Sequence, residues 1–153
     1  MPTEKIEFTL NGRSTSVSVD PQRNLLDVLR NTLSLKATRM GCALGQCGAC
    51  MVMLDDRAVT SCDMPMWSVA GKQVTTVEGL GSRQSPHPLQ TAFIEEQAMQ
   101  CGYCTSGLLM TAAALLKRNA HPTEPEIREA LDVNLCRCGV HNRVVRAVQK
   151  AAS

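Results

Sequence analysis

Hydrophobic and polar residues alternate along the first twenty residues of the chain. Five apolar residues share one face of this pattern, on either side of the pair Asn11-Gly12: Ile6, Phe8, Leu10, Val17 and Val19. A period of two predicts strands with one buried face, and Asn-Gly favours a tight two-residue turn. We therefore predict a β-hairpin over residues 4–19.

The pattern changes to helical spacing at Asn24, a residue type that caps helices well. The apolar positions that follow it are Leu25, Leu26, Leu29 and Leu33. Further along, Val52 and Leu54 lead to a turn at Asp55-Asp56, and residues 58–62 predict a returning strand that ends at Cys62. Two hairpins around one helix predict a small α+β domain of the β-grasp kind.

The second half of the chain is helical by its apolar spacing. Four groups recur at helical intervals: Leu89, Ala92, Phe93 and Met99; Leu108, Leu109, Ala112, Leu115 and Leu116; Ile127, Ala130 and Leu131; and Val140, Val144, Val145, Val148 and Ala151. Thr123 and Glu126 form a capping box ahead of the third group. Because the connections are short, we predict a compact four-helix bundle.

Between the two halves, from Val74 to Ser85, the composition shifts to Thr, Gly, Ser and Gln. Such a stretch is typical of a linker. We predict a first domain over residues 1–76, a linker over 77–85 and a helical domain over 86–153.

Composition excludes several classes of function. The net charge of +2 comes from interspersed signs without a basic run, which gives no reason to expect nucleic acid as a partner. We see neither a signal-peptide pattern nor a run of 18 apolar residues, so we expect no direct membrane insertion. Eight cysteines in a secreted chain would suggest four disulfides. Since no signal-peptide pattern is seen, we expect a reducing cytosol, where cysteines are more often used to bind metal.

The candidate chemistry lies in those cysteines. Cys42, Cys47 and Cys50 have C-x4-C-x2-C spacing, and Cys62 follows twelve residues later, which is the plant-type ligand pattern of a [2Fe-2S] cluster. Small residues between them allow main-chain N–H groups to approach the sulfurs: Gly41, Ala43, Gly45, Gly48 and Ala49. Zinc and free thiols are the alternatives, although zinc favours paired C-x2-C knuckles.

Two further cysteine pairs lie in the helical half. Cys101 and Cys104 precede the second helical group, and Cys136 and Cys138 precede the last. On spacing alone this set could hold zinc as easily as iron. A C-x-C pair is tight for a zinc knuckle, however, and nearby glycines again suggest main chain close to sulfur: Gly102, Gly107 and Gly139. Beside the first motif, a second [2Fe-2S] cluster is the simpler hypothesis.

Taken together, these motifs resemble a known family. The order C-x4-C-x2-C-x11-C, Gln-Cys-Gly-Tyr-Cys and Asn-Leu-Cys-Arg-Cys-Gly resembles the small iron–sulfur subunit of molybdenum hydroxylases of the xanthine dehydrogenase and carbon monoxide dehydrogenase family. The resemblance covers essentially the whole chain. Within this family the chain most resembles the small subunits of nicotinate dehydrogenase and isoquinoline oxidoreductase-like enzymes.

The resemblance implies a plant-type ferredoxin-like domain and a helical domain, each with one [2Fe-2S] cluster. It also implies that Gln100 and Cys138 touch a molybdopterin, in its cytosine dinucleotide form, held by a large partner subunit. From the residues alone, a solvated side chain at a helix end is the favoured interpretation of Gln100, and the resemblance reverses that preference. Arg137, between two ligands, could tune a cluster potential or form a surface ion pair.

The function implied is electron transfer from the molybdenum centre to a FAD-binding or c-type cytochrome subunit. The Gly139-Val140-His141 sequence after the last cysteine resembles the branch that uses a c-type haem. The implied substrate of the complex is an aromatic N-heterocycle such as nicotinate. The alternatives for the function are an aldehyde-oxidising member of the same family, a free-standing two-cluster ferredoxin and a zinc-stapled interaction protein. No catalytic residue is expected on this chain, and the expected location is cytoplasmic, or at the membrane or exported through a partner.

Overall fold

The first hairpin forms as the alternation predicts. In the computed structural model, which describes residues 2–153, strands β1 (Glu4–Leu10) and β2 (Arg13–Val19) pair antiparallel, with Ile6 opposite Val17. Asn11 and Gly12 at the turn have φ angles of 49° and 78°. Both are positive, which is the geometry that two-residue hairpins need to match the strand twist.

The first helix is short. Helix α1 (Leu25–Asp27) continues as a π-helical turn over Val28–Thr32, and the Asn24 side chain accepts the Asp27 N–H at 2.8 Å, which confirms the predicted cap. Leu25 and Leu29 are fully buried, whereas Leu33 lies beyond the last turn and is only partly buried. The helix therefore packs one apolar face against the sheet.

Three more strands complete a five-stranded sheet of order β2-β1-β5-β3-β4: β3 (Met51–Leu54), β4 (Arg57–Thr60) and β5 (Gln73–Thr75). β1 and β5 are parallel and the other pairs are antiparallel. Two details differ from the prediction. Val74 lies in the central strand β5 and is buried, although the composition of the stretch that it begins predicted a linker. Strand β4 ends at Thr60, so Cys62 lies in the loop that follows and not in the strand.

Four helices form the second half: α2 (Pro88–Glu95), α3 (Thr105–Arg118), α4 (Glu124–Leu131) and α5 (His141–Ala152). The Glu126 carboxylate accepts the Thr123 N–H at 2.7 Å, which confirms the capping box. The assignment of Met99 to the first of these helices is wrong. Gln97 adopts a φ of 50° and the Ala98 N–H reaches back to the Phe93 carbonyl, so the chain leaves the helix before Met99, which is 56% exposed.

Strand β3 joins two hydrophobic cores. Its side chains alternate, with Val52 and Leu54 in the core beneath α1, and Met51 and Met53 in the core formed by α2 to α5. All four are buried because both faces of this strand are covered. The single strand β3 therefore supplies side chains to both hydrophobic cores. The division of the chain into domains at residues 76 and 86 stays a prediction.

Candidate iron–sulfur centres

The first motif forms a loop whose backbone N–H groups point at its sulfurs. The N–H groups of Leu44 and Gln46 donate to Cys42 Sγ at 3.3 and 3.2 Å. Gly45 donates to Cys62 Sγ at 3.2 Å, and Cys42 donates to Cys47 Sγ at 3.4 Å. Such a set of convergent donors stabilises negative charge on the sulfurs, as an anionic cluster requires.

The small residues of this loop account for its path. Ala43, Gly45 and Gly48 have φ angles of 57°, 69° and 75°, in the left-handed region that the sequence predicted for this loop. Gly41 serves by its size, because a β-carbon there would lie 2.6 Å from Cys47 Sγ. Main chain therefore approaches the sulfurs more closely than a loop of larger residues could.

The thiols of this first site differ in their pKa values. The N–H donors of Gln46 and Leu44 lower the pKa of Cys42 to about 6. Burial raises the pKa of Cys62 to about 12, with a further rise from its hydrogen bond to Cys50. The sulfurs thus lie in two interacting pairs, Cys42 with Cys47 and Cys50 with Cys62.

The second motif is assembled from two separate segments at the start of two helices. Cys104 lies at the N-cap position of α3, and Cys136 and Cys138 come just before α5 begins at His141. The thiols again form two pairs, Cys101 with Cys138 and Cys104 with Cys136. Both helices point their positive N-terminal ends at this group, which favours negative charge there.

The second site also combines burial with N–H donors. Burial raises the pKa of Cys104 to about 12. Burial acts in the same direction on Cys136, but donors from Cys138, Val140 and Gly139 outweigh it and lower its pKa. The Tyr103 N–H, 3.5 Å from Cys101 Sγ, lowers the pKa of Cys101.

Of the glycines predicted to approach sulfur here, two take left-handed angles and one has another role. Gly102 and Gly139 have φ angles of 83° and 74°. Gly107 lies in α3, and a β-carbon on it would overlap the carbonyl oxygen of Gly48, not a sulfur. Gly107 therefore allows α3 to pack against the first cysteine loop.

The pairing of the thiols suits a binuclear cluster. Within residues 2–153, no three His, Cys, Asp or Glu side chains converge closely enough to hold a single metal ion. A [2Fe-2S] cluster would take four thiolate ligands, two on each iron, which two pairs of thiols could supply. Both sites offer two thiol pairs with N–H donors, and the residues present fit this group.

The two loops contact each other directly, which the sequence did not predict. The Leu135 N–H donates to the Cys47 carbonyl at 2.9 Å, and Asn134 Nδ2 donates to the Gly48 carbonyl at 3.1 Å. The Tyr103 hydroxyl donates to the Met40 carbonyl. A cavity of about 220 Å³ between the loops is lined by residues of both motifs, including Cys47, Cys101, Cys104 and Cys136. Local spacing carries no signal for such contacts between distant segments.

The remaining predicted residues lie at the surface. Gln100 is exposed beside Cys101, which is the most exposed of the eight cysteines and pairs with Cys138. Arg137 is exposed, and no ion pair of Arg137 occurs within residues 2–153. In the part of the chain that the structure describes, no helix has the length and apolar character needed to cross a membrane.

Comparison with known proteins defines the class first. A family model described as 2Fe-2S iron-sulfur cluster binding domain matches residues 8–76, and one described as [2Fe-2S] binding domain matches residues 76–149. The chain is thus a protein with two [2Fe-2S]-binding domains in tandem.

The particular family follows from near full-length relatives. A nicotinate dehydrogenase subunit of Pseudomonas putida is 51% identical over 96% of this chain and 94% of the relative. The alpha subunit of isoquinoline 1-oxidoreductase from Brevundimonas diminuta is 50% identical over 96% of this chain and 97% of the relative. The chain belongs to the family of small [2Fe-2S] iron–sulfur subunits of molybdenum hydroxylases, as its cysteine pattern predicted.

Solved structures of relatives share the fold. The crystal structure of quinoline 2-oxidoreductase from Pseudomonas putida 86 has a chain with a TM-score of 0.94 and 35% identity, covering 99% of this chain and 94% of that one. Aldehyde oxidoreductase from Desulfovibrio gigas also gives 0.94, with 40% identity over 97% of this chain but only 17% of that chain. The predicted fold, a β-grasp ferredoxin-like domain followed by a helical domain, is confirmed.

Proposed function

We propose that this chain is the electron-transfer subunit of a molybdenum hydroxylase and carries electrons away from a molybdopterin held by a large partner subunit. The observation that carries the proposal is the direct hydrogen bonding between two cysteine loops that each suit one cluster. A [2Fe-2S] cluster supplies one-electron redox chemistry when bound. Two such sites in contact suit a fixed conduit better than a carrier that diffuses between partners.

The chain's own residues do three things in this scheme. Four thiolates hold each cluster: Cys42, Cys47, Cys50 and Cys62 in the first domain, and Cys101, Cys104, Cys136 and Cys138 in the second. The N–H groups of residues 44–46 and the N-terminal ends of α3 and α5 stabilise the negative charge of the bound groups. Burial of Cys50 and Cys62 excludes water from one side of the first site.

The contact between the loops offers a short bonded route from one site to the other. Cys136 is bonded to Leu135, whose N–H donates to the carbonyl of Cys47 at 2.9 Å. One hydrogen bond and one intervening residue, Leu135, therefore connect the main chains of two proposed cluster ligands. Electrons entering at the second site would reach the first along this route.

The entry point is the exposed end of the second site. Gln100 and Cys138 are our proposed contacts to the molybdopterin, in its cytosine dinucleotide form. Large apolar side chains are exposed next to these segments: Met99 beside Gln100 at 56%, and Leu135 beside Cys136 at 65%. Ile94, which lines a groove with Met99, is 75% exposed. Exposed apolar groups of this kind mark surfaces that a partner covers, which supports docking of the large subunit here.

The exit point is the first loop. Leu44 is 70% exposed and Met40 56% exposed beside Cys42. We propose that a FAD-binding or c-type cytochrome subunit docks there. Each of these acceptors can take one electron at a time, which matches what a [2Fe-2S] cluster delivers.

The substrate class proposed for the complex is an aromatic N-heterocycle such as nicotinate. Its support is the two relatives of about half identity, which are named for nicotinate and isoquinoline. The similarity to aldehyde oxidoreductase of Desulfovibrio gigas at 40% identity favours an aldehyde as the second candidate. The chain itself is not expected to bind substrate.

The test is co-purification of the chain from its native host, with subunits identified by mass. We expect a large molybdenum-containing subunit in the complex, and bleaching of the cluster absorbance when nicotinate is added without an acceptor. Bleaching by an aldehyde alone would favour the second candidate. A stable cluster-loaded monomer that reduces a soluble acceptor by itself would identify a free-standing ferredoxin and contradict the proposal.

The contact of Gln100 with the molybdopterin has its own test. Gln100→Ala should leave both clusters intact on chemical reduction but slow their reduction by substrate, because a buried hydrogen bond worth about 1–3 kcal/mol would be lost ahead of the clusters. Gln149→Ala, which removes an exposed glutamine side chain near the end of α5, is the matched control. Reduction at the wild-type rate in Gln100→Ala would show that Gln100 is solvated.

A further inference from the structure

One side chain joins the two cysteine loops in the interior of the molecule. Asn134 lies two residues before Cys136, is 2% exposed, and donates from Nδ2 to the Gly48 carbonyl at 3.1 Å. The next residue, Leu135, donates its N–H to the carbonyl of Cys47 at 2.9 Å. Two successive residues of the second loop therefore hold two successive carbonyls of the first.

The Gly48 carbonyl is enclosed on several sides. A β-carbon on Gly107 of α3 would overlap its oxygen, and a β-carbon on Gly48 itself would lie 2.6 Å from Asn134 Nδ2 and 2.5 Å from the Val133 carbonyl. Gly48 also has a φ of 75°. The peptide unit that follows Gly48 thus lies between α3 and Asn134, with close contacts on both sides.

The Asn134 amide is only half satisfied. Its Oδ1 is buried and has no hydrogen-bond partner within residues 2–153. Turning the amide round would bring Oδ1 against the Gly48 oxygen, so the donor orientation is the favourable one. Burial of an unpaired carbonyl opposes folding. An apolar side chain would avoid this cost and would still leave the Gly48 carbonyl with the Met51 N–H at 3.4 Å as a partner, so what the Nδ2 donor adds is a link to the first loop.

We propose that Asn134 is a positioning residue for electron transfer between the two clusters. By holding the Gly48 carbonyl it keeps the Cys47 carbonyl opposite the Leu135 N–H, and so sets the separation of the two sites. The inference rests on the proposed function, in which single electrons pass from one cluster to the other with no bond made or broken. Among residues 2–153 the Asn134 side chain makes no hydrogen bond to a proposed cysteine ligand, so it acts through Gly48.

The test compares Asn134→Ala with the wild-type chain in the complex with its partner subunit. With both clusters reduced by dithionite, we expect two EPR signals and unchanged iron and sulfide, but weaker spin–spin splitting between the signals. The Leu135 amide should exchange its hydrogen at least about 10-fold faster, and transfer between the clusters should slow about 10-fold, as for other losses of outer-shell partners. Asn142→Ala, which removes an exposed amide bonded to Arg128, is the matched control.

Splitting and Leu135 exchange at wild-type values in a fully loaded Asn134→Ala variant would overturn the proposal. If that variant loses a cluster, the result is taken from Asn134→Ser, which leaves a smaller cavity but is too short to reach Gly48. Wild-type splitting there would equally overturn it. The proposed function fails differently, since a chain without two clusters shows no pair of interacting signals even in the wild type.

Discussion

The two cysteine sites reach similar chemistry by different constructions. The first is one continuous loop closed by Cys62, in which left-handed residues turn N–H groups onto the sulfurs. The second is divided between the start of α3 and the segment before α5, and it exists only when those helices pack together. A site within a single loop depends mainly on local conformation, whereas a divided site depends on tertiary packing.

The largest effect expected from this comparison is loss of one centre at a time. Cys47→Ser should remove the first cluster and Cys104→Ser the second, because each takes away a ligand of only one set. Each variant should contain about half the wild-type iron and keep one of two EPR signals, since every cluster has its own four thiolates. Loss of both signals from one substitution in folded protein would contradict separate ligand sets.

Thiol reactivity sharpens the comparison in the cluster-free chain. Hydrogen bonds from N–H donors lower the pKa of Cys42 to about 6, whereas burial raises the pKa of Cys104 to about 12. Cys42 is then mostly thiolate at pH 7 and Cys104 is almost wholly protonated. We expect iodoacetamide to label Cys42 before Cys104, at a rate that levels off above pH 7, as measured by mass spectrometry of the peptides.

The control for this labelling is the chain in urea, where both thiols should react alike. Equal rates in the folded chain would show that the donors of the first loop do not act without a bound cluster.

The contact between the regions can be broken at Gly107. Alanine is favoured over glycine inside a helix by about 1 kcal/mol, but a methyl group on Gly107 would overlap the Gly48 carbonyl. We expect Gly107→Ala to lower the free energy of unfolding by about 1–3 kcal/mol, the usual effect of overpacking. Urea denaturation measures this.

The neighbouring Ser106→Ala is its matched control. The Ser106 hydroxyl is buried and has no hydrogen-bond partner within residues 2–153, so its removal should be neutral or stabilising. If Gly107→Ala raised the stability as in an ordinary helix, the close contact between α3 and the first loop would be wrong.

The smallest effect expected is a pH dependence confined to the helical region. His87 Nδ1 accepts the Leu89 N–H at 3.1 Å and caps α2. Burial, aided by the charge of Lys117, lowers the pKa of His87 below its usual 6.5. The stability due to neutral His87 is therefore complete above pH 6.5 and is lost as the pH falls below it, because the unfolded chain binds the proton more readily.

The size of this loss should be that of one helix cap, about 1 kcal/mol. The protection of the α2 amides against hydrogen exchange, taken relative to the intrinsic rate at each pH, measures it between pH 7.5 and 5.5. His87→Asn, which caps without titrating, should remove the dependence. His121→Asn is the control, since His121 is exposed and lies outside α2. The same loss of protection at low pH in the His87→Asn variant would show that another group titrates.

Much of this protein was predictable from local pattern. The alternation at Ile6, Phe8 and Leu10 predicted a strand, and Asn11-Gly12 predicted its turn, because side-chain period and left-handed turn residues act within a few positions. The C-x4-C-x2-C spacing predicted a plant-type [2Fe-2S] loop, since that spacing is a requirement of one loop. The family was predicted by resemblance, from the order of all three cysteine motifs. Where local signals were weak, the predictions failed: Val74 joins the sheet, and Met99 lies outside α2.

Tertiary structure alone decided how the two sites meet. The place of Gly107 near Cys104 predicted a close approach to sulfur, but Gly107 instead lies against Gly48 of the first cysteine loop. Likewise nothing near Asn134 in the sequence indicates a bond to a residue 86 positions away. Spacing along the chain encodes turns, caps and ligand loops, because these involve neighbours. The packing of α3 on β3 decides contacts between distant loops, because it depends on the burial of both cores together.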